Sequence, residues 1–431
     1  MNYLSNWYTF PGILTLSILV GILSGSYPAF VLASFKPVDV LKGKFSSGIK
    51  GGLLRNVLVV TQFSISIIII IGTMVIYSQL KYFTSKDLGF DKNNILVVYR
   101  TEPIKGKIKN FMQELEKSPS IKITSNSSIY AGASNTNNSY QMKGRDKSSN
   151  FIFNTNWADY NYSETYNIKL AEGRFFDQRY PSDTLAVIIN EVALKKFEID
   201  DPFNIVLIEP TEDGKGRELH IIGVIEDFHS ASLHEEIAPY LFQLKQEDHG
   251  WPGYISVKLE SGPKSIETAL EHMEKVWLEF ADDEPFQYFF LDERLNAAYM
   301  EEKRSGKLAM VFAFLAIFIA SLGLFGLTMY TTQRRTREIG IRKVHGASNL
   351  KIVSLIVKET SLLIAISILI AWAISLKVAH NWLNDFAYRN ELNPVIFIAA
   401  AGIALIVAVV TVSLQTYYAA QTNPAHSLHY E

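Results

Sequence analysis

The chain has 431 residues, a formal net charge of −2 and no cysteine. A nearly balanced charge leaves no electrostatic footprint for a nucleic-acid partner, and the lack of thiols excludes disulfide staples and thiolate metal sites. Hydrophobic residues make up 48% of the chain, an ordinary share, but they are gathered into runs, and a bilayer requires that gathering rather than the total.

Residues 1–35 contain no Asp, Glu, Lys or Arg. A helix needs about 20 apolar residues to cross about 30 Å of hydrocarbon, and "GILTLSILVGILSG" supplies the core of a first predicted span. The run lacks a basic n-region and continues apolar through "SGSYPAFVLASF", which argues against a signal peptide. A basic stretch follows, with Lys36, Lys42, Lys44, Lys50 and Arg55 against Asp39, and then a second charge-free run over 56–80.

The long segment after this second span reads as a soluble α+β domain. "NILVVYR" (94–100) is a strand candidate, "IKGKIKNFMQELEKS" (104–118) an amphipathic helix and "IKITSNSSI" a strand. The same order recurs at "GYISVKLE" (253–260), "PKSIETALEHMEKVWLEFA" (263–281) and "FQYFFLDE" (286–293). Two β-α-β units so far apart predict one subdomain, 83–129 plus 251–305, split by an insertion over 130–250. That insertion is aromatic-rich and carries "FIFNTN", "TLAVIIN" and "ELHIIGVIE", so it is expected to be mostly β. His229 and His234 flank "SASL" beside Glu226, Asp227, Glu235 and Glu236, in a spacing that fits no zinc motif; the segment is read as a solvated loop.

Three further spans close the chain: the charge-free run 308–333, "LLIAISILIAWAISL" within the 17-residue run 360–376, and the run 392–425. The middle one is short, so its helix is expected to extend back through Ile352, with Lys358 and Glu359 near a headgroup boundary. Lys and Arg collect in cytoplasmic loops. The 36–55 stretch, the cluster at 334–343 and the tail, which has no acid before Glu431, therefore lie inside. Five crossings then put the N-terminus and residues 81–305 outside, and the C-terminus in the cytoplasm. The expected fold is a membrane α-helical protein of five transmembrane helices with a large exported α+β domain, divided as 1–45, 46–82, 83–305 and 306–431.

The stretch "TREIGIRKVHGAS" (336–348) holds the densest candidate site. Read as a short helix, 334–343 places Arg335, Glu338 and Arg342 on one face, with Ile339 and Lys343 beside it and Arg334, Arg337 and Gly340 in the same stretch. Gly346 is expected to end it. Glu359, an acid inside a membrane-length segment, is a candidate by default; it reads either as an ion-pair partner of Lys358 or the arginine cluster, or as a proton or substrate site. Ser321, Gly323 and Gly326 form a small-residue stripe that suits close helix packing, at a dimer interface or within the chain. No catalytic constellation and no metal set stands out. No GxxxxGK[ST] phosphate cradle occurs either, "GKGRELH" lacking its flanking residues. Finally, "ASFKPVDVLKG" (33–43) and "AQTNPAHSLHY" (420–430) share an Ala, Pro, Leu spacing after spans that begin near Pro11 and Pro394. Residues 1–45 thus read as the last span of an upstream module, with Met1 an internal start or the chain a fragment.

"SLGLFGLTMYTTQRRTREIGIRKVHGAS" followed by Glu359, "LLRNVLVVTQFSISIIIIIGTMVIYSQLKY" leading to "LGFDKNNILVV", and "GVIEDFHSASLHEEIAP" (223–239) together resemble the FtsX-like permease family of ABC transporters, in its MacB-like branch with a periplasmic core domain. The resemblance covers nearly the whole chain. Its simplest members have one span before the periplasmic domain and three after it. The additional first span departs from that pattern and resembles the end of a preceding copy, as in tandem two-module permeases of which this chain is expected to be the C-terminal module. The resemblance implies a bacterial inner-membrane permease subunit of an exporter, without catalysis of its own. It implies a separate ATPase chain that holds ATP and Mg, docked on the 334–346 stretch, and pairing as a homodimer or with a second permease module. A periplasmic adaptor and an outer-membrane channel belong to the same expectation. ATP-driven closure of the ATPases would move the periplasmic domains, a mechanism called mechanotransmission. Two relatives of the same topology offer alternatives: a lipoprotein-releasing permease, and a signalling FtsX-like protein that moves no cargo.

Overall fold

The computed structural model describes residues 10–12, 14–15, 17–22, 26, 49–133, 136–145, 150–211, 215–231, 233–245, 253–282 and 284–420. They fall into two compact units, Met1–Thr61 and Gln62–Glu431. In the first, the described residues within Phe10–Ile22 are helical. Most of the expected first span, the basic 36–48 stretch and both copies of the Ala, Pro, Leu spacing lie outside the described residues, apart from Ala420 at a helix end. Helix α1 (Ile49–Ser85) is 37 residues long and passes through five consecutive isoleucines, Ile67 to Ile71. In water such a β-branched run favours a strand; in lipid the backbone must satisfy its own hydrogen bonds, which makes it a helix.

The domain that follows is built, in order, from β1 (Ile95–Val98), α2 (Ile108–Leu115), β2 (Ile121–Ser127), β3 (Thr136–Met142), β4 (Phe151–Ala158), α3 (Tyr162–Thr165), β5 (Leu170–Gly173), β6 (Ala186–Asn190) and α4 (Glu191–Phe197). β7 (Val206–Glu209), β8 (Arg217–Ile225), β9 (Tyr240–Leu244), β10 (Tyr254–Leu259), α5 (Pro263–Phe280), β11 (Tyr288–Phe290) and α6 (Leu291–Ala297) complete it. All the strands join one 11-stranded sheet. Its first part runs β11-β1-β10-β2, antiparallel throughout, with α2 and α5 on one face. Two β-α-β units interleaved in this order give a ferredoxin-like lobe. Strand β1 is apolar at every position because both of its faces are covered. Leu96 and Val98 pack with Phe111, Met273 and Trp277, while Ile95 and Val97 join Phe90, Tyr166 and Phe228 on the other side.

The remaining strands run β4-β3-β7-β8-β6-β9, and β9 pairs in parallel with β4. The hydrogen-bonded circuit therefore closes on itself, which removes exposed edges. Tyr140, Phe153, Val187, Ile189, Leu207, Leu219 and Leu241 form a common core in this lobe, and Phe197 of α4 packs on Phe151 and Phe153. The two lobes meet where β2 pairs with β4 through Ser127 and Ala158. There the Asp159 carboxylate accepts from Ser125 Oγ at 2.7 Å and from the Asn126 N–H at 2.7 Å.

Helices α7 (Met300–Arg334), α8 (Thr336–Val344), α9 (Asn349–Leu383) and α10 (Pro394–Ala420) complete the second unit. Among the described residues four helical segments are long and apolar enough to cross a membrane: Leu53–Ser85, Met300–Arg334, Asn349–Leu383 and Pro394–Tyr418. The face that α9 buries carries Ser367, Ala371, Ser375 and Ala379, and α10 buries Ala400, Ala404 and Ala408. Small residues at four-residue spacing let the two backbones approach. Two local expectations change. The strand expected over 286–293 ends at Phe290, because Asp292 and Glu293 favour the first turn of α6. The short helix expected over 334–343 begins only at Thr336, because α7 continues to Arg334.

Candidate functional site

Two clusters stand at opposite ends of α7. At its C-terminal end the helical path is interrupted at Arg335 (φ −94°, ψ 11°) and α8 follows at once. Arg335 Nη1 donates to Glu359 Oε1 at 2.8 Å, tying the break to α9. Within α8, Glu338 and Arg342 pair one turn apart at 2.7 Å. Gly346, at φ +84°, ends the helix: its N–H donates to the Lys343 carbonyl at 2.9 Å and the next N–H, of Ala347, to that of Arg342 at 3.0 Å. This reciprocal pair needs a left-handed residue, which glycine adopts without a Cβ penalty. The Ser348 hydroxyl then accepts from Lys351 N and caps α9.

The result is a tight elbow, α7–α8–α9, with the outward side of α8 uncovered. Ile341 is 48% and Val344 69% exposed, whereas Ile339 is half-buried and Gly340 buried. Arg334 leans over the Tyr330 ring at 5.4 Å, Lys343 is half-buried, and the Arg337 side chain lies outside the described residues. Glu359 thus meets the arginine cluster through Arg335 rather than its neighbour Lys358. Within the chain, the three positions of the small-residue stripe have different surroundings. Gly323 alone takes a close neighbour, Gln62 Oε1 lying 2.5 Å from where its Cβ would stand; Gly326 has nothing within 4 Å, and the Ser321 hydroxyl turns back to the Phe318 carbonyl.

At the other end, α1, α7 and the turn between α9 and α10 converge on the β domain in an aromatic collar. Phe83, Leu233 and Phe386 are buried there, with Tyr82, Leu88, Tyr299, Trp382 and Tyr388 packed around them. Phe83 lies 5.0 Å from the Tyr299 ring and 5.6 Å from that of Phe386. Polar contacts lock the same joint. Gln79 Nε2 donates to the Tyr388 carbonyl at 2.9 Å, the Asn390 N–H to Gln79 Oε1 at 2.8 Å, and the Ile237 N–H to the Tyr388 hydroxyl at 3.3 Å. The stretch around His229 and His234, 226–236, is therefore not simply the solvated loop expected of it. His229 is 6% exposed, with its ring edge-on to Tyr388 at 4.6 Å and its backbone N–H donating to the Leu88 carbonyl at 2.8 Å. Burial, helped by nearby Lys86, pushes its imidazole down to about 4, so it is neutral at neutral pH. His234 faces Glu302 of α7 at 3.2 Å.

The model for a MacB-like periplasmic core domain matches residues 57–276, half of the chain, and that for an FtsX-like permease C-terminal domain matches 310–424. The chain belongs to the FtsX-like permeases with a MacB-like periplasmic core domain. Curated relatives of this FtsX-like permease include the macrolide export ATP-binding/permease proteins MacB of Neisseria gonorrhoeae and Neisseria meningitidis. They are 23% identical over 240 residues, and the alignment covers 52% of this chain but 36% of theirs. Among solved structures, the periplasmic region of MacB from Actinobacillus actinomycetemcomitans aligns with 50% of this chain and 97% of its own, at 14% identity and a TM-score of 0.35. The extracellular domain of the noncanonic ABC-type transporter YknZ from Gram-positive bacteria aligns with 49% and 92%, at 14% identity and a TM-score of 0.31. In this FtsX-like permease the elbow lies wholly inside the permease match, while the collar draws on both matches and, through Tyr299 and Glu302, on the interval between them.

Proposed function

We propose that this FtsX-like permease is the membrane subunit of an ATP-driven ABC exporter in a bacterial inner membrane. A separate ATPase subunit, holding ATP and Mg, docks on α8 from the cytoplasm. Two copies of the permease, or this chain and a second permease module, share two ATPases. Their closure displaces α8, the motion passes along α7 and α9, and the periplasmic domain moves at the far end. In that arrangement the C-terminus is cytoplasmic, and the periplasmic domain faces an adaptor and an outer-membrane channel. The observation that carries this reading is the Arg335–Glu359 pair, because it links the exposed elbow to α9 and lets a push on α8 reach two helices at once. The chain's own residues bind, brace and transmit; bond cleavage belongs to the partner.

The test is reconstitution of the full chain with its ATPase in vesicles. Macrolides head the cargo panel because the Neisseria relatives are named for their export. Hydrolysis stimulated by this chain, together with ATP-dependent movement of cargo, is the expected result. Stimulated hydrolysis without any cargo movement would instead assign the chain to the non-transporting, signalling relatives. An ATPase that neither binds nor responds would overturn the proposal.

A further inference from the structure

A cavity of about 270 Å³ opens beside the collar, where α1 ends and α7 begins. Phe83 and Tyr299 line it from the membrane helices' side, Tyr130 from the β domain. Lys92 and Arg294 also line it, and among the described residues no Asp or Glu does. Among the described residues neither cation takes part in an ion pair; the Arg294 guanidinium rests 5.6 Å from the centroid of the Phe289 ring. Two cations border one partly aromatic hole, and an anion seated in it could pair with both. Arginine adds a planar fork suited to phosphate or carboxylate. The size restricts the guest, since pockets for drug-sized ligands run from about 300 to 1,000 Å³.

We propose that this cavity binds an organic anion in which a phosphate or carboxylate is joined to a short apolar body, the acid held by Lys92 and Arg294 and the body lying on Phe83, Tyr130 and Tyr299. The headgroup end of an acidic lipid and a water-soluble organic acid both offer that chemistry. Because the walls come from the end of α1, the entry to α7 and the β domain, an occupied cavity braces the domain on its helices. The site stands independently of any ATPase partner.

Calorimetric titration of the full chain in a neutral maltoside detergent tests it, with hexyl phosphate, dihexanoyl phosphatidic acid, dihexanoyl phosphatidylcholine and inorganic phosphate as probes. Saturable binding of hexyl phosphate or of the phosphatidic acid is expected, weakened about tenfold or more in Lys92→Gln, Arg294→Gln and their double variant, and retained in Lys92→Arg. Tighter binding of the phosphatidic acid than of hexyl phosphate points to lipid as the source, and the reverse to a soluble acid. Absence of saturable binding by both acidic probes overturns the proposal, as does undiminished binding in the single variants. Equal binding of phosphatidylcholine or of inorganic phosphate would do the same, by removing the need for the acid or for the apolar body.

Discussion

Arg335 and Glu359 stand 24 positions apart and meet at 2.8 Å, joining the break after α7 to the first half of α9. Their side chains remain 34% and 50% exposed, and a pair so open to solvent contributes about 0–1 kcal/mol to stability. A part for the pair in the proposed coupling can therefore be tested with little effect on the fold. Glu359→Gln is expected to leave the thermal midpoint nearly unchanged while reducing the cargo-stimulated ATP hydrolysis of the reconstituted complex. The exchange Arg335→Glu with Glu359→Arg should recover part of it. Unchanged hydrolysis in Glu359→Gln would remove this contact from the coupling route.

The uncovered side of α8 yields a second prediction. Val344 and Ile341 are exposed, and Glu338 and Arg342 pair with each other. Val344→Asp is expected to abolish co-purification of the ATPase at unchanged folding, and Glu338→Ala or Arg342→Ala to uncouple hydrolysis. Pull-down of the complex and its cargo-stimulated ATP hydrolysis, measured for each variant, read the outcome. Full retention in all three would move the docking surface elsewhere.

Gly346 gives a test of local geometry. At φ +84° an alanine meets the left-handed penalty of about 1–2 kcal/mol, although its Cβ would have open space around it. Gly346→Ala should fray the end of α8 and lower the affinity for the ATPase, whereas Gly326→Ala, in open space on a regular helix, should be neutral. Hydrogen exchange over 340–350 in the two variants separates the cases.

The ferredoxin-like lobe depends on Trp277, 1% exposed, with its ring edge-on to Phe111 at 5.7 Å and its Nε1 donating to the Glu284 carbonyl at 2.8 Å. Trp277→Ala is expected to lower stability by about 3–5 kcal/mol. Trp277→Phe, which keeps most of the packing and loses the donor, should lose less. Chemical denaturation of the full chain, followed by fluorescence, gives the comparison.

Acid should loosen the collar. The His229 imidazole is pushed from 6.5 down to about 4 by burial and by Lys86, with Asp87 opposing. Its folded value lies below its unfolded one, so its contribution is complete above pH 6.5 and is lost as pH falls toward 4. The loss is roughly 1.4 kcal/mol per pH unit at most. His229→Phe keeps an aromatic ring against Tyr388 and cannot titrate. Its stability relative to the parent chain should rise between pH 6.5 and pH 4.5; parallel pH profiles would contradict the assignment.

The four long apolar helices were legible because exclusion from water acts on one stretch at a time. The 17-residue run 360–376 was too short alone, yet the start of α9 at Asn349, capped by Ser348, follows from the expected extension through Ile352. In the β domain the strand patterns were visible, but not their partners. Pairing of Asn154 with Tyr240 and of Ala158 with Leu244 is parallel and spans more than eighty positions, and nothing local announces it. The wholly buried "YLFQL" of β9 carries no alternation that would mark it as half-exposed. The collar did leave a signal: aromatic residues gather at one end of several spans, at Tyr82 and Phe83, Tyr299, Trp382, Phe386 and Tyr388, as they do where helices leave a bilayer. What the pattern could not supply was that these rings meet one another and enclose His234 as well.

The uninterrupted course of α7 has a mechanical corollary. Its 35 residues make a rod about 52 Å long, with the elbow at one tip and the first turn, at Glu302, against His234 at the other. Pivoted at one tip, a rod of that length turns a tilt of about 6° into a stroke of about 5 Å at the other, close to the rise of a single helical turn. In the proposed coupling, such a tilt would turn a small rearrangement at the elbow into a helical-turn-sized swing at the collar.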